Sequence, residues 1–140
     1  MESLLSTALW LAGIGHFCLL GVSFQVPARA NWKEDLLKLL PLNRKLLWVY
    51  GGFTVLTIVA FGALTLLLHR EFLQGDRAAV ALAAFMAVYW TARILVDVFY
   101  LRHSDWPAGD WFVVAHVGLF AFFTALAATY WAVVVHAFAL

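Results

Sequence analysis

The chain has 140 residues, 65% of them hydrophobic and 12% charged, with a mean hydropathy of +0.90. Soluble domains are nearer about half apolar and about a quarter charged, and a sphere of this size cannot hide so much apolar surface. An ordinary soluble enzyme, a disordered chain and a nucleic-acid-binding module are thereby excluded, and a net charge of +1 points to no acidic partner.

Charges divide the chain into four apolar runs. Residues 3–28, 46–69 and 111–140 carry no Asp, Glu, Lys or Arg, and 78–101 carry only Arg93 and Asp97. A spanning helix needs about 20 mainly apolar residues. The runs do not alternate as barrel strands would, and backbone polar groups in lipid must be satisfied within the span. The expectation is a single all-α membrane domain over 1–140. It is an antiparallel four-helix transmembrane bundle with spans of about 4–26, 45–69, 78–102 and 110–138.

In the first span, Val26-Pro27-Ala28-Arg29-Ala30 faintly resembles a signal cleavage site. The start, Met1-Glu2-Ser3, lacks the basic residues of a signal peptide, and the run exceeds a typical apolar core, so the helix is read as retained. The lone Cys18 sits in this run and reads as a small buried hydrophobe. Next comes Asn31-Trp32-Lys33-Glu34-Asp35-Leu36-Leu37-Lys38-Leu39-Leu40-Pro41. Asn31 and Glu34 have capping-box spacing, and Trp32, Leu36, Leu39 and Leu40 share one helical face. A short amphipathic helix in the membrane interface, about 31–40, is the expectation, ended by Pro41.

Orientation follows from basic residues. Arg29, Lys33, Lys38, Arg44, Lys45 and Arg102 fall on one side, and Arg70 and Arg77 on the other. The positive-inside rule makes the richer side cytoplasmic. The chain then lies in a bacterial-type inner membrane with both termini outside. Trp10, Trp48, Trp106, Trp111 and Trp131 fall near span ends and read as interfacial anchors. His69, His103 and His136 read as interfacial too.

The third span holds the strongest functional signal. Arg93 and Asp97 are ionisable groups in a membrane segment, four residues apart on one face. Trp90 and Tyr100 extend that face. An Arg93–Asp97 ion pair is expected to lower the cost of burying either charge. Helical rise puts Asp97 about 6 Å, Arg93 about 12 Å, His116 about 9 Å and Tyr50 about 6 Å from the inner ends of their helices, with His16 near the midplane. A pocket in the inner half is expected, with Asp97 and His116 in acid–base roles and Trp90, Arg93, Tyr100, Tyr50 and His16 contacting a ligand.

Haem fits poorly, because His16 and His116 differ by about 6 Å in depth. A metal fits poorly as well, because no tight His/carboxylate spacing is present; no metal ligand is assigned and the cofactor is left unknown. No Ser nucleophile motif or Gly-rich phosphate loop is found. A quinone or an isoprenoid-like lipid fits best: an apolar slot, donors from Arg93, Tyr100 and His116, an aromatic wall and a proton route at Asp97. The expected partners are the lipid bilayer and that small molecule, with copies of the chain or other membrane subunits beside it. The alternative is an accessory or structural subunit of a larger membrane complex with no chemistry of its own.

Overall fold

A computed structural model describes residues 2–101 and 103–140, with the side chain of His103 not described. The fold is helical throughout, with no strand among the described residues. Helices α1 (Glu2–Arg29), α3 (Pro41–Leu67), α5 (Arg77–Phe99) and α6 (Asp110–Ala139) are long and apolar enough to cross a membrane. Two short helices intervene, α2 (Trp32–Asp35) and α4 (His69–Gln74). Four such helices place the chain in the multi-pass membrane class.

Helix boundaries follow local chemistry. Asn31 adopts a left-handed conformation, φ 58° and ψ 44°, which Asn tolerates better than most residues. It therefore terminates α1, as such residues do at helix C-termini. The expected capping box does not form: no side chain caps α2, and Asn31 Nδ2 instead donates to Glu34 Oε2 at 3.2 Å. The expected interfacial helix over 31–40 is accordingly only one α-helical turn followed by a 3-10 turn, Leu36–Lys38. Leu39 is extended, and Pro41 opens α3 at its first turn, where a missing N–H is harmless. At the far end of α3, Leu68 breaks the helix and α4 follows. Gly75 ends α4 at φ 75°, and the Asp76 carboxylate accepts from the Ala78 and Ala79 amides to start α5.

One continuous core joins the four long helices. On α1, Leu5, Leu9, Ala12, His16 and Leu19 are buried, spaced by three or four residues as one helical face requires. Ile58, Phe61, Gly62 and Thr65 face them from α3. Ala79, Ala83, Met86, Ala87 and Trp90 come from α5, and Phe123, Leu126, Ala127, Tyr130 and Val133 from α6. The main partnerships are α1 with α3 and α5 with α6. Gly62 is what lets α1 and α3 meet: a Cβ there would lie 2.9 Å from His16 Cβ and 3.2 Å from the Gly13 carbonyl oxygen.

These buried positions are unevenly distributed. They lie between residues 5 and 19 of α1, 58 and 65 of α3, 79 and 90 of α5, and 123 and 133 of α6. In the remainder of the four long helices only Asp97 is buried. One half of the molecule is thus tightly packed, and the other, where α1 and α5 end and α3 and α6 begin, is open.

Candidate functional site

The open half contains the only ion pair among the described residues that joins two helices. His116 Nε2 lies 3.2 Å from Asp97 Oδ2. The α5–α6 packing sets their relative positions. The Asp97 side chain is 5% exposed and that of His116 is 19% exposed, so the pair is withdrawn from its surroundings but not sealed. Trp106 stacks on His116 with ring centroids 4.7 Å apart and planes within 22°. The indole fixes the imidazole plane and covers one of its faces.

Arg93 does not pair with Asp97. Among the described residues no carboxylate is paired with its guanidinium. The reason is positional: the α6 imidazole occupies the carboxylate, while Arg93, one turn earlier, lies over the Phe123 ring at 5.0 Å. Its Nη1 is buried and without a hydrogen-bond partner. Arg93 also lines a cavity of about 310 Å³ enclosed by the end of α1, α5, the start of α6 and the segment between α5 and α6. Arg29, Asp105, Trp106, Trp111 and Leu119 share that lining. The Arg29 guanidinium sits 4.3 Å from the centre of the Trp111 ring, a cation–π contact. Because Trp106 both lines the cavity and stacks on His116, the Asp97–His116 pair stands directly behind the cavity wall.

The other expected site residues are placed elsewhere. Trp90 is 2% exposed and belongs to the core, stacked on Phe123 at 5.2 Å and 17°. His16 is fully buried beside it, with ring centroids 5.4 Å apart. Its Nδ1 donates to the Ala12 carbonyl at 2.7 Å, which leaves Nε2 as a buried acceptor with no partner. Trp90 Nε1 likewise has none. Tyr100 does not join the group: α5 ends at Phe99, and the Tyr100 ring is 78% exposed. Tyr50 does not join it either. Its ring is 62% exposed and lines a separate groove between α1 and α3, with Trp32 and Trp48. Equal depth along the helices does not bring equal direction around them.

Other expectations shift as well. Cys18 is exposed rather than buried. His69, expected at the interface, is buried in the packed half: its Nε2 shares a 2.9 Å hydrogen bond with Ser6 Oγ, and its ring stacks on Trp10 at 4.4 Å. Burial holds the His69 imidazole below its ordinary value. His136 Nε2 donates to the Leu73 carbonyl at 3.2 Å. Arg102 and the side chain of His103 lie outside the described residues. Among those described, no group of three His, Cys, Asp or Glu side chains is placed to hold a metal ion.

From sequence, Arg29, Trp106 and Trp111 read only as a topological charge and two anchors. Their signal is slight: a basic residue two positions after Pro27, and two tryptophans flanking Pro107 and Gly109. A core pair, Thr65 Oγ1 and Tyr130 Oη at 2.6 Å, has no sequence signature either. Comparison of the chain with family models, curated proteins and solved structures finds no match.

Proposed function

We propose that this protein binds a membrane-soluble small molecule, a quinone or an isoprenoid-like lipid, in the cavity that Arg93 lines. Arg93 holds the polar head, Trp106 and Trp111 form the aromatic wall, and Asp97 with His116 exchanges a proton with the bound head. The observation that carries this reading is the buried, unpartnered Arg93 Nη1 at a cavity wall backed by the Asp97–His116 pair. Perturbed or unsatisfied polar groups converging on an apolar cavity are the ordinary mark of a ligand site. We place the site in the inner half of a bacterial-type inner membrane, within an antiparallel bundle whose termini lie outside. The basic-residue imbalance supports that orientation. Contact between the start of α1 and the start of α4, at Ser6 and His69, supports the antiparallel arrangement.

The test is what copurifies. Protein extracted directly into lipid nanodiscs is expected to carry a near-stoichiometric organic compound, seen by mass spectrometry of its extract. The compound is expected to be lost from Ala115→Phe, which places a ring in the cavity lining. Equal lipid profiles in the two proteins would exclude the reading. A second reading, an accessory subunit, is favoured by the α1–α3 groove of about 710 Å³, where a Cβ added at Gly51 or Gly52 would meet nothing within 4 Å. Crosslinking at Gly51 that captures another membrane subunit would support it.

A further inference from the structure

The charges around the cavity constrain the ligand further. Arg93 and Arg29 both line it, and among the described residues neither is paired with a carboxylate. The nearest acid in the helical sense, Asp97, is engaged by His116. The one carboxylate in the cavity wall, Asp105, has a partner of its own. A guanidinium in an apolar membrane setting without a counter-charge is expensive. A neutral carbonyl would accept a hydrogen bond yet leave the charge of Arg93 uncompensated, with a second cation, Arg29, beside it at the exposed end of α1. A carboxylate or phosphate would neutralise them and match the planar donor fork of arginine. The cation–π contacts of Arg29 with Trp111 and of Arg93 with Phe123 orient the two guanidinium groups without supplying a counter-charge.

The cavity also continues. A second space of about 370 Å³ runs between α1 and α6, lined by Gly15, Cys18, Gly118 and Phe122 among others. It shares Val22, Trp111, Ala115 and Leu119 with the Arg93 cavity. Apart from Gln25, Cys18 and the Trp111 indole, the side chains lining it are hydrocarbon. An apolar slot that opens from a chamber lined by two guanidinium groups and one carboxylate has the shape of a head-and-tail site.

We propose that the ligand is a single-chain amphiphile with an anionic, oxygen-bearing head: the head sits between Arg29 and Arg93, and the tail lies in the groove between α1 and α6. The inference rests on the ligand-binding reading above and decides between its two ligands: it sets aside the neutral quinone and keeps an isoprenoid-like or other lipid with an anionic head.

The experiment uses the whole protein in phosphatidylcholine nanodiscs, with binding read as the part of the tryptophan fluorescence change that Trp106→Phe and Trp111→Phe remove. The probes are dodecyl phosphate, dodecanol, a decyl-substituted benzoquinone and inorganic phosphate. Saturable binding of dodecyl phosphate is expected, with affinity reduced about tenfold by Arg93→Gln and several-fold by Arg29→Gln. Gly118→Leu obstructs the tail groove at a position where an added Cβ meets nothing within 4 Å, so the fold should persist while dodecyl phosphate weakens. That variant keeps the test decisive if Arg93→Gln does not fold. Dodecanol or the quinone matching dodecyl phosphate in affinity would overturn the anionic head. Inorganic phosphate competing as well as dodecyl phosphate, or Gly118→Leu binding unchanged, would overturn the tail. Saturable quinone binding without dodecyl phosphate binding sinks this inference and leaves the ligand-binding reading standing. No copurifying compound and no probe bound removes both.

Discussion

Each half of the molecule contains a histidine stacked on a tryptophan and bonded to an oxygen. In the packed half, His69 lies on Trp10 and meets the Ser6 hydroxyl at 2.9 Å. In the open half, His116 lies on Trp106 and meets the Asp97 carboxylate at 3.2 Å. The difference is in the partner and the surroundings. A neutral hydroxyl partner sits beside the core of interlocking side chains. The charged partner sits where the helices diverge and a cavity opens. The same local device ties helix ends together in one place and holds a titratable pair at a cavity wall in the other.

The comparison breaks first if the halves do not differ in packing. Leu126 is 2% exposed in the packed half, whereas Leu56 on α3 is 58% exposed. Leu126→Ala is expected to destabilise by about 2–5 kcal/mol through lost contacts and a residual void. Leu56→Ala is expected to stay within about 0.5 kcal/mol. Reversible unfolding in mixed micelles measures both, and equal effects would erase the distinction.

The two histidine pairs supply the next contrast. Asp97→Ala removes a charged partner and is expected to destabilise by about 1.5–3 kcal/mol, against about 0.5–1.5 kcal/mol for Ser6→Ala. A double-mutant cycle sharpens it. Asp97 with His116 should show a coupling of about 1–3 kcal/mol, and Asp97 with Arg93 distinctly less. A larger Arg93 coupling would restore the ion pair that the i, i+4 spacing suggests.

That spacing shows where the sequence is legible and where it is not. Four spans are readable because burial in lipid needs long uncharged runs, and charges mark their ends. The depth of His116 against Asp97 is readable because helical rise is fixed. Direction around a helix is less so. Tyr100 shares Asp97's face by arithmetic, but α5 ends before it. Tyr50 shares the depth, but α3 packs on α1. Around spans apolar on every side, no amphipathic pattern says which face is inward. Asn31 illustrates the same limit at a helix end, since one residue type serves an N-cap or a left-handed stop.

The packed half also carries a smaller, pH-dependent signature. Burial lowers the value of His69. Its contribution to stability is therefore present above its unfolded value of about 6.5, and lost as pH falls through the lower folded value. Stability measured from pH 7.5 down to pH 5 is expected to fall more in the wild type than in His69→Gln. Parallel pH curves would mean that His69 is not withdrawn from water.

The smallest expected effects belong to Tyr50→Phe and Tyr100→Phe, and they test the boundary of the site. Arithmetic puts Tyr50 about 6 Å from its helix end, as it does Asp97, and Tyr100 on Asp97's face. Both rings are mostly exposed, and neither lines the Arg93 cavity. Removing a hydroxyl from such a ring leaves no buried group unsatisfied, so the stability change should stay within about 0.5 kcal/mol. Affinity for the cavity's ligand should not change, whereas Trp106→Ala, which strips both the cavity wall and the cover of His116, should weaken it. If Tyr50→Phe weakened binding as much as Trp106→Ala, the ligand would have to reach from the α5–α6 side across α1 to the α1–α3 groove. The open half would then hold one broad site rather than two separate spaces, and the contrast between a local pair at a cavity wall and an unrelated groove would fail.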